Sequence, residues 1–207
     1  VEKSIEAAFN RLSFTFTKNH LQHLINICLS PDSSENDIYV CSNLLENAEI
    51  SSQGILPLCQ DTGIANIFGW RASSSFSSKG INNAITKAVE KIYTTRNLRF
   101  STNKPLSLFN EIDPQNNLPA YIQIYDQEPV LPDNMNITDD DLRYHFVCCA
   151  KGGGSSNKTE FVQGTKANLT PENFRKFLTE KIAKLGTSAC PPYTISVVAG
   201  GLSPEQN

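Results

Sequence analysis

Length, composition and charge limit the kinds of protein that this chain can be. Its 207 residues suffice for one large domain or two small ones, and the hydrophobic fraction of 39% with 19% charged residues is typical of a globular chain. The apolar runs are too short to cross a bilayer, and a net charge of −3 provides no basic face for phosphates, so we expect no membrane and no nucleic acid among its partners.

The first half of the chain alternates helical and strand patterns. Apolar residues recur at helical spacing in VEKSIEAAFNRL and in KNHLQHLINICL, and a third helix is predicted from Asp37 to Glu49. The β-branched and aromatic segment Ile64–Trp70 predicts a strand. The serine-rich RASSSFSSKG predicts a loop, and helical spacing returns from Ile81 to about Thr95.

The second half contains three further strand-like segments and one well-marked helix. AYIQIY and YHFVCCA predict strands, and so does TISVVAGG near the end. Thr170 as N-cap, Pro171 at the first helical position and Gly186 as the stop delimit the helix. The prediction is therefore one α+β domain over residues 1–207, a sheet covered by helices.

The six cysteines indicate reduced thiols rather than a disulfide framework. Their spacing is irregular, no C-x-x-C pair occurs, and the N-terminus lacks a signal-peptide pattern. We therefore expect an intracellular protein of the cytoplasm or mitochondrial matrix. Cys28 and Cys41 lie on helical patterns and are predicted to pack, whereas the adjacent Cys148 and Cys149 should face opposite sides of a strand.

Two cysteines stand in settings that suit metal ligands. Cys59 lies in LCQDTG, beside a carboxamide and a carboxylate and just after a proline turn, and Cys190 precedes two prolines that fix the backbone. A packing role is the alternative for each thiol. With thiolates as the candidate ligands, iron-sulfur chemistry and zinc are the two options.

The glycine run in KGGGSSNKT permits three readings. Three glycines let backbone amides approach an anion, which favours a carboxylate-binding nest. The segment also resembles a nucleotide-binding P-loop, although Asn157 stands where that motif requires glycine. A plain glycine turn is the third reading, and all three place a loop here.

The motifs LCQDTG, LRFS, NLPA, KGGGSSNKT and LGTSACPPY occur in this order and resemble the N-terminal region of class I fumarases. These are iron-sulfur hydratases that interconvert fumarate and (S)-malate. The resemblance runs from about Gly54 to Gln206 and weakens before it. Tartrate dehydratases share the CQDTG loop, but NKT after the glycines and tyrosine after the prolines are more similar to the fumarase branch.

The resemblance implies a 4Fe-4S cluster held by three cysteines. Cys59 and Cys190 match two of them, and the third belongs to a CPVG-like motif that does not occur before Asn207. We therefore expect this chain to be a fragment that lacks the cluster and is inactive alone. Its implied partners are the C-terminal domain of the same enzyme and, at full length, a second subunit in a homodimer.

The resemblance also implies which residues meet a dicarboxylate substrate. Gln60 and Asp61 match residues at the substrate, and Asp61 is the implied catalytic residue, which partners a base from the C-terminal domain. Arg99 matches a carboxylate-binding arginine, and Gly154 matches a backbone contact.

Two departures from the family pattern accompany these matches. Thr194 stands where the family usually has histidine, and GGLSPEQN replaces a GGTSAETN-like run. The alternatives to a fumarase are a tartrate dehydratase-like or other dicarboxylate hydro-lyase, including one for mesaconate, and a cluster-free module that binds dicarboxylates or nucleotides.

Overall fold

The computed structural model describes residues 1–71, 78–125 and 144–200. The chain divides into two compact units, Val1–Gly153 and Gly154–Asn207. Helices and small sheets are mixed along it, which confirms the predicted α+β class.

Within its described residues, 1–71, 78–125 and 144–153, the first unit contains four helices and five strands. In chain order they are α1 (Glu2–Phe14), α2 (Lys18–Leu29), α3 (Glu35–Ser51), β1 (Ile64–Arg71), α4 (Ser78–Thr95), β2 (Lys104–Pro105), β3 (Glu111–Ile112), β4 (Tyr121–Tyr125) and β5 (Tyr144–Lys151). Strand β1 is central in a three-stranded sheet, parallel to β4 and antiparallel to β5, and β2 pairs with β3 in a separate hairpin. The helices and strands predicted for this unit are confirmed within one to three residues at most ends.

The hydrophobic core lies between one face of the sheet and helices α1 and α4. Ala65 and Ile67 alternate on β1 and are fully buried, as the period of two in a strand requires. Phe9 of α1 and Ile85 of α4 belong to the same buried cluster. Helices therefore cover this face of the sheet, as predicted.

Strand β5 separates the two adjacent cysteines as expected. Cys148 packs against the core cluster, and burial raises its pKa to about 11, whereas Cys149 is exposed. Cys41 on α3 is buried, and burial raises the pKa of its thiol as well. Protonated thiols in such surroundings are packing groups.

The second unit contains a short helix α5 (Gly153–Lys158), whose first residue belongs to the first unit, a 3-10 helix Lys166–Leu169 and α6 (Pro171–Ala183). The predicted start of α6 is confirmed, because the Thr170 hydroxyl accepts a hydrogen bond from the Asn173 amide and Pro171 follows the cap.

Three predictions for local structure are wrong where the structure describes the chain. KGGGSSNKT was expected to be a loop, but its middle forms α5 despite the low helix propensity of glycine. TISVVAGG was expected to be a strand, yet residues 194–200 have no regular structure, since no described strand of this unit offers them a ladder. In RASSSFSSKG, Arg71 belongs to β1 and residues 78–80 to α4, while residues 72–77 lie outside the described ranges.

No helix within the described ranges has both the length and the apolar character needed to cross a bilayer.

Candidate functional site

The LCQDTG loop connects α3 to β1, and its first residue is fixed by the N-terminal helices. The Leu58 amide donates to the Ser13 carbonyl at 2.9 Å, and the Asn47 side chain donates to the Leu58 carbonyl at 2.8 Å. Ser13 lies in the last turn of α1, where a carbonyl has no partner inside the helix. Two helices thus hold the peptide groups on both sides of Leu58.

The middle of the loop presents polar and thiol groups to solvent. Cys59 and Gln60 are exposed, and Asp61 is half-buried. The Asp61 amide donates to the Cys59 sulfur at 3.4 Å, and such an N–H group stabilises negative charge on a thiolate. Cys59, Gln60 and Asp61 are therefore brought together on one short turn, as their adjacency in the sequence predicts.

The Asp61 carboxylate is oriented by the backbone that directly follows β5. Its Oδ2 atom accepts a hydrogen bond from the Gly153 amide at 2.6 Å, and both residues belong to the first unit. A Cβ atom on Gly152 would lie 2.7 Å from the same oxygen. The approach of Asp61 to this backbone thus requires glycine at position 152.

Gly63 allows the loop itself to lie against the same backbone. Its φ of +76° is in the left-handed region, and a Cβ atom there would lie 2.8 Å from the Lys151 carbonyl carbon. Two glycines, Gly63 and Gly152, therefore let the loop and the end of β5 come into contact.

The last part of the loop holds Arg99 by its backbone. The Arg99 amide donates to the Thr62 hydroxyl oxygen at 3.0 Å, and that hydroxyl donates to the Arg99 carbonyl at 2.9 Å. The Arg99 side chain is exposed. The fold thus brings the Arg99 backbone beside LCQDTG, although 37 positions separate Arg99 from Thr62.

Tyr93 and Asn117 support this arrangement, although no sequence motif assigns a role to either. The Tyr93 hydroxyl donates a bifurcated hydrogen bond to the Thr62 carbonyl at 3.0 Å and the Gly63 carbonyl at 3.1 Å. The Asn117 side chain donates to the Gly63 carbonyl at 3.1 Å and accepts from the Ser101 amide at 2.6 Å. Asn117 lies in the NLPA motif, whose asparagine is the one sequence signal that could have drawn attention to it.

Cys190 and Gly154 lie in the second unit. Cys190 is exposed and has a φ of +60°, a left-handed conformation that is uncommon for a residue with a side chain. Its amide donates to the Thr187 carbonyl at 3.3 Å, and the Tyr193 hydroxyl accepts from the Ala189 amide at 3.1 Å. Strained backbone of this kind is often found at functional sites.

Gly154 stands in the first turn of α5 beside that segment. A Cβ atom on Gly154 would lie 3.5 Å from the Ala189 Cβ, which is ordinary contact, so packing does not demand glycine at this position. Thr194, which occupies the usual histidine position of the family, is exposed.

The surroundings of Cys59 and Cys190 fit thiolate ligands, because neither is packed in an apolar core and Cys59 already accepts an N–H···S hydrogen bond. None of the six cysteines forms a disulfide. Within residues 1–71, 78–125 and 144–200, no three His, Cys, Asp or Glu side chains form a group that could hold a metal ion. His20 and His23 on α2 are not part of any such group.

Comparison with known proteins links the chain to one family. The family model described as Fumarate hydratase (Fumerase) matches residues 2–207, so the similarity extends well before Gly54. The chain is 42% identical over 200 residues to "Fumarate hydratase class I, aerobic" of Escherichia coli (strain K12), covering 97% of this chain and 34% of that protein.

Two further relatives come from other organisms. "Fumarate hydratase 1, mitochondrial" of Leishmania major is 42% identical over 198 residues, which is 96% of this chain and 34% of that protein. "Putative L(+)-tartrate dehydratase subunit alpha" of Methanocaldococcus jannaschii is 29% identical over 173 residues, with 82% of this chain and 56% of that protein covered. The chain thus spans about a third of the length of the curated fumarate hydratases it matches.

Proposed function

This chain belongs to the fumarate hydratase family, and on that premise we propose that the protein reversibly hydrates fumarate to (S)-malate. Because the chain spans about a third of its fumarate hydratase relatives, the activity is proposed for the full-length protein. The finer fold assignment, the N-terminal domain of an iron-sulfur hydro-lyase, is part of the same proposal.

One observation carries most of the proposal. The LCQDTG loop is fixed by hydrogen bonds at Leu58 and again at Thr62 and Gly63, while Cys59, Gln60 and Asp61 between them are exposed or half-buried. A loop that is rigid at both ends and open in the middle suits a ligand and acid–base groups that must keep their direction. Packing alone does not require a thiol and a carboxylate at such positions.

We propose that Cys59 and Cys190 are two of the ligands of a 4Fe-4S cluster. The exposure of each thiol and the N–H···S hydrogen bond at Cys59 support the assignment. When bound, a cluster with three thiolate ligands supplies an iron with an open position, which acts as a Lewis acid on substrate oxygens. The remaining ligand is proposed to come from the part of the full-length protein that corresponds to the rest of its relatives.

Asp61 is proposed to orient a proton carrier during addition and removal of water. One of its oxygens is held by the Gly153 amide, so the direction of the other is fixed by the backbone. A carboxylate repels a dicarboxylate, and Asp61 is therefore better suited to proton transfer than to gripping the anion. A base from the C-terminal domain would be its partner.

Arg99 is proposed to grip a substrate carboxylate. Its planar guanidinium can make two parallel hydrogen bonds to a carboxylate, and its side chain is exposed beside the fixed loop. Gln60 and the backbone of Gly154 are proposed to bind the remaining oxygens, as the family resemblance implies.

A second candidate substrate class has one specific observation in its favour, which is the similarity to a protein named as a tartrate dehydratase subunit. The higher identity to proteins named as fumarate hydratases makes fumarate the first choice. Assembly as a homodimer, and a location in the cytoplasm or the mitochondrial matrix, complete the proposal.

An anaerobic assay of the full-length protein with fumarate, mesaconate and tartrate tests the proposal. We expect malate from fumarate at a rate at least about tenfold above product formation from the other two acids, a difference of ~1.4 kcal/mol in the barrier. Preferred turnover of tartrate would instead identify the protein as a tartrate dehydratase. Turnover of none of the three acids, with visible iron-sulfur absorbance present, would refute dicarboxylate hydration.

A further inference from the structure

The peptide groups around Arg99 are held by one hydroxyl. Thr62 Oγ1 accepts from the Arg99 amide at 3.0 Å and donates to the Arg99 carbonyl at 2.9 Å, so a single side chain satisfies both groups. Arg99 lies outside any helix or strand of the structure. Among the residues that the structure describes, no ladder or helical hydrogen bond therefore replaces Thr62 in fixing this backbone.

Thr62 is itself held firmly. It is 8% exposed, and its carbonyl faces the hydroxyl of the buried Tyr93 at 3.0 Å. Two residues beyond Arg99, the Ser101 amide donates to the side chain of Asn117, which is fully buried and also donates to the Gly63 carbonyl. Hydrogen bonds through the Thr62 and Asn117 side chains thus connect residues 99–101 to residues 62–63 at two points.

This arrangement links the backbone of Arg99 to the loop that carries Asp61. A long arginine side chain has many rotamers, and the direction in which its guanidinium points depends on how well its Cα is placed. A displacement of about 1 Å at a binding group can cost as much as a hundredfold in rate. A buried hydroxyl that spans both peptide groups of Arg99 supplies such placement.

We propose that Thr62 is a positioning residue, which acts through Arg99 on the binding of a substrate carboxylate. Tyr93 supports it by hydrogen bonding to the Thr62 carbonyl. The inference rests on the proposed function, because it assumes that Arg99 grips the dicarboxylate. It adds to that function a residue which contacts no substrate.

The test compares Thr62→Val, which keeps the shape of the side chain and removes the hydroxyl, with Thr62→Ser, which keeps the hydroxyl. Both are made in the full-length protein and assayed anaerobically for hydration of fumarate. Thr94→Val is the matched control, because the exposed Thr94 hydroxyl also bonds to backbone, at the Glu90 carbonyl within α4. Each change is repeated in an Arg99→Met background.

We expect Thr62→Val to raise KM for fumarate about tenfold, the effect of losing one to two hydrogen bonds. Since Asp61 is held separately by Gly153, kcat should change by less than about twofold. Thr62→Ser and Thr94→Val should keep the original KM. In the Arg99→Met background, Thr62→Val should add less than about twofold, because two residues that act through one contact are not additive.

Two results would overturn the assignment while leaving the proposed function intact: equal KM values for Thr62→Val and Thr62→Ser, or the same tenfold effect in the Arg99→Met background. Absence of hydration by the unmodified full-length protein would overturn both. If Thr62→Val does not fold, Tyr93→Phe takes its place. That variant should raise KM about threefold with Arg99 present and leave it unchanged with Arg99→Met.

Discussion

Gly63→Ala should destabilise the protein much more than Gly54→Ala. The two glycines have nearly the same backbone conformation, with φ values of +76° and +75°. An alanine at either position costs about 1–2 kcal/mol for the left-handed conformation. No atom of the described residues lies within 4 Å of a Cβ built on Gly54, whereas a Cβ on Gly63 would meet the Lys151 carbonyl carbon at 2.8 Å and the Gly152 amide nitrogen at 3.0 Å.

The steric difference between the two sites sets the magnitude. The atoms that Gly63 faces are backbone atoms at the end of β5, so they cannot rotate away from an added methyl group. Overpacking of this kind lowers the free energy of unfolding by about a further 1–3 kcal/mol. We therefore expect Gly63→Ala to lose about 2–5 kcal/mol in free energy of unfolding, against about 1–2 kcal/mol for Gly54→Ala.

Urea unfolding of the two variants and the unmodified protein, followed by circular dichroism, measures the difference. The slopes against urea should be alike, so the midpoints report stability. Equal midpoints for Gly63→Ala and Gly54→Ala would refute the close contact between the LCQDTG loop and the end of β5.

Three further outcomes concern Arg99, the other four cysteines and Tyr93. Arg99→Lys in the full-length protein should weaken fumarate binding by about 1.5–3 kcal/mol without changing iron content, because lysine cannot make paired hydrogen bonds to a carboxylate; an unchanged KM would exclude the gripping role. The single changes Cys28→Ala, Cys41→Ala, Cys148→Ala and Cys149→Ala should leave iron content intact, and loss of iron from any one would show a misassigned ligand. Burial raises the pKa of Tyr93 above its ordinary value of about 10. Above about pH 10, the Tyr93 hydroxyl therefore ionises in the unfolded chain but keeps its proton in the folded chain, and the free energy of unfolding falls as pH rises. Tyr93→Phe should flatten this alkaline fall in titrations of unfolding free energy, and an unchanged slope would contradict the burial of its hydroxyl.

Local signals in the sequence were sufficient for most of the first unit and for the start of α6 in the second. The Ser34 and Asp37 capping box begins α3, and Thr170 with Pro171 begins α6, so hydrogen bonds between near neighbours set these ends. The β-branched and aromatic content of Ile64–Trp70 predicts the strand β1.

The parts that the sequence did not predict depend on distant partners. Thr62, Tyr93 and Asn117 meet Arg99 or Gly63 across 30 to 54 positions of chain, and nothing in their own neighbourhoods indicates those contacts. Helix α5 forms over glycines and serines whose propensities disfavour it, so context outweighs propensity there. The apolar residues of TISVVAGG read as a strand, but a strand also needs a neighbour with which to form its ladder.

Malate formation by Asp61→Asn in the full-length, anaerobically prepared protein tests most sharply whether the LCQDTG loop is catalytic. Asp32→Asn is the control, since Asp32 is an exposed carboxylate in the turn between α2 and α3. Asparagine keeps the shape of Asp61 and still accepts the Gly153 hydrogen bond, but it cannot take part in proton transfer. We expect kcat to fall by about 10²–10⁴-fold with iron content unchanged, whereas Asp32→Asn keeps full activity. Equal kcat values for Asp61→Asn and Asp32→Asn would contradict the claim that the LCQDTG loop is the catalytic centre.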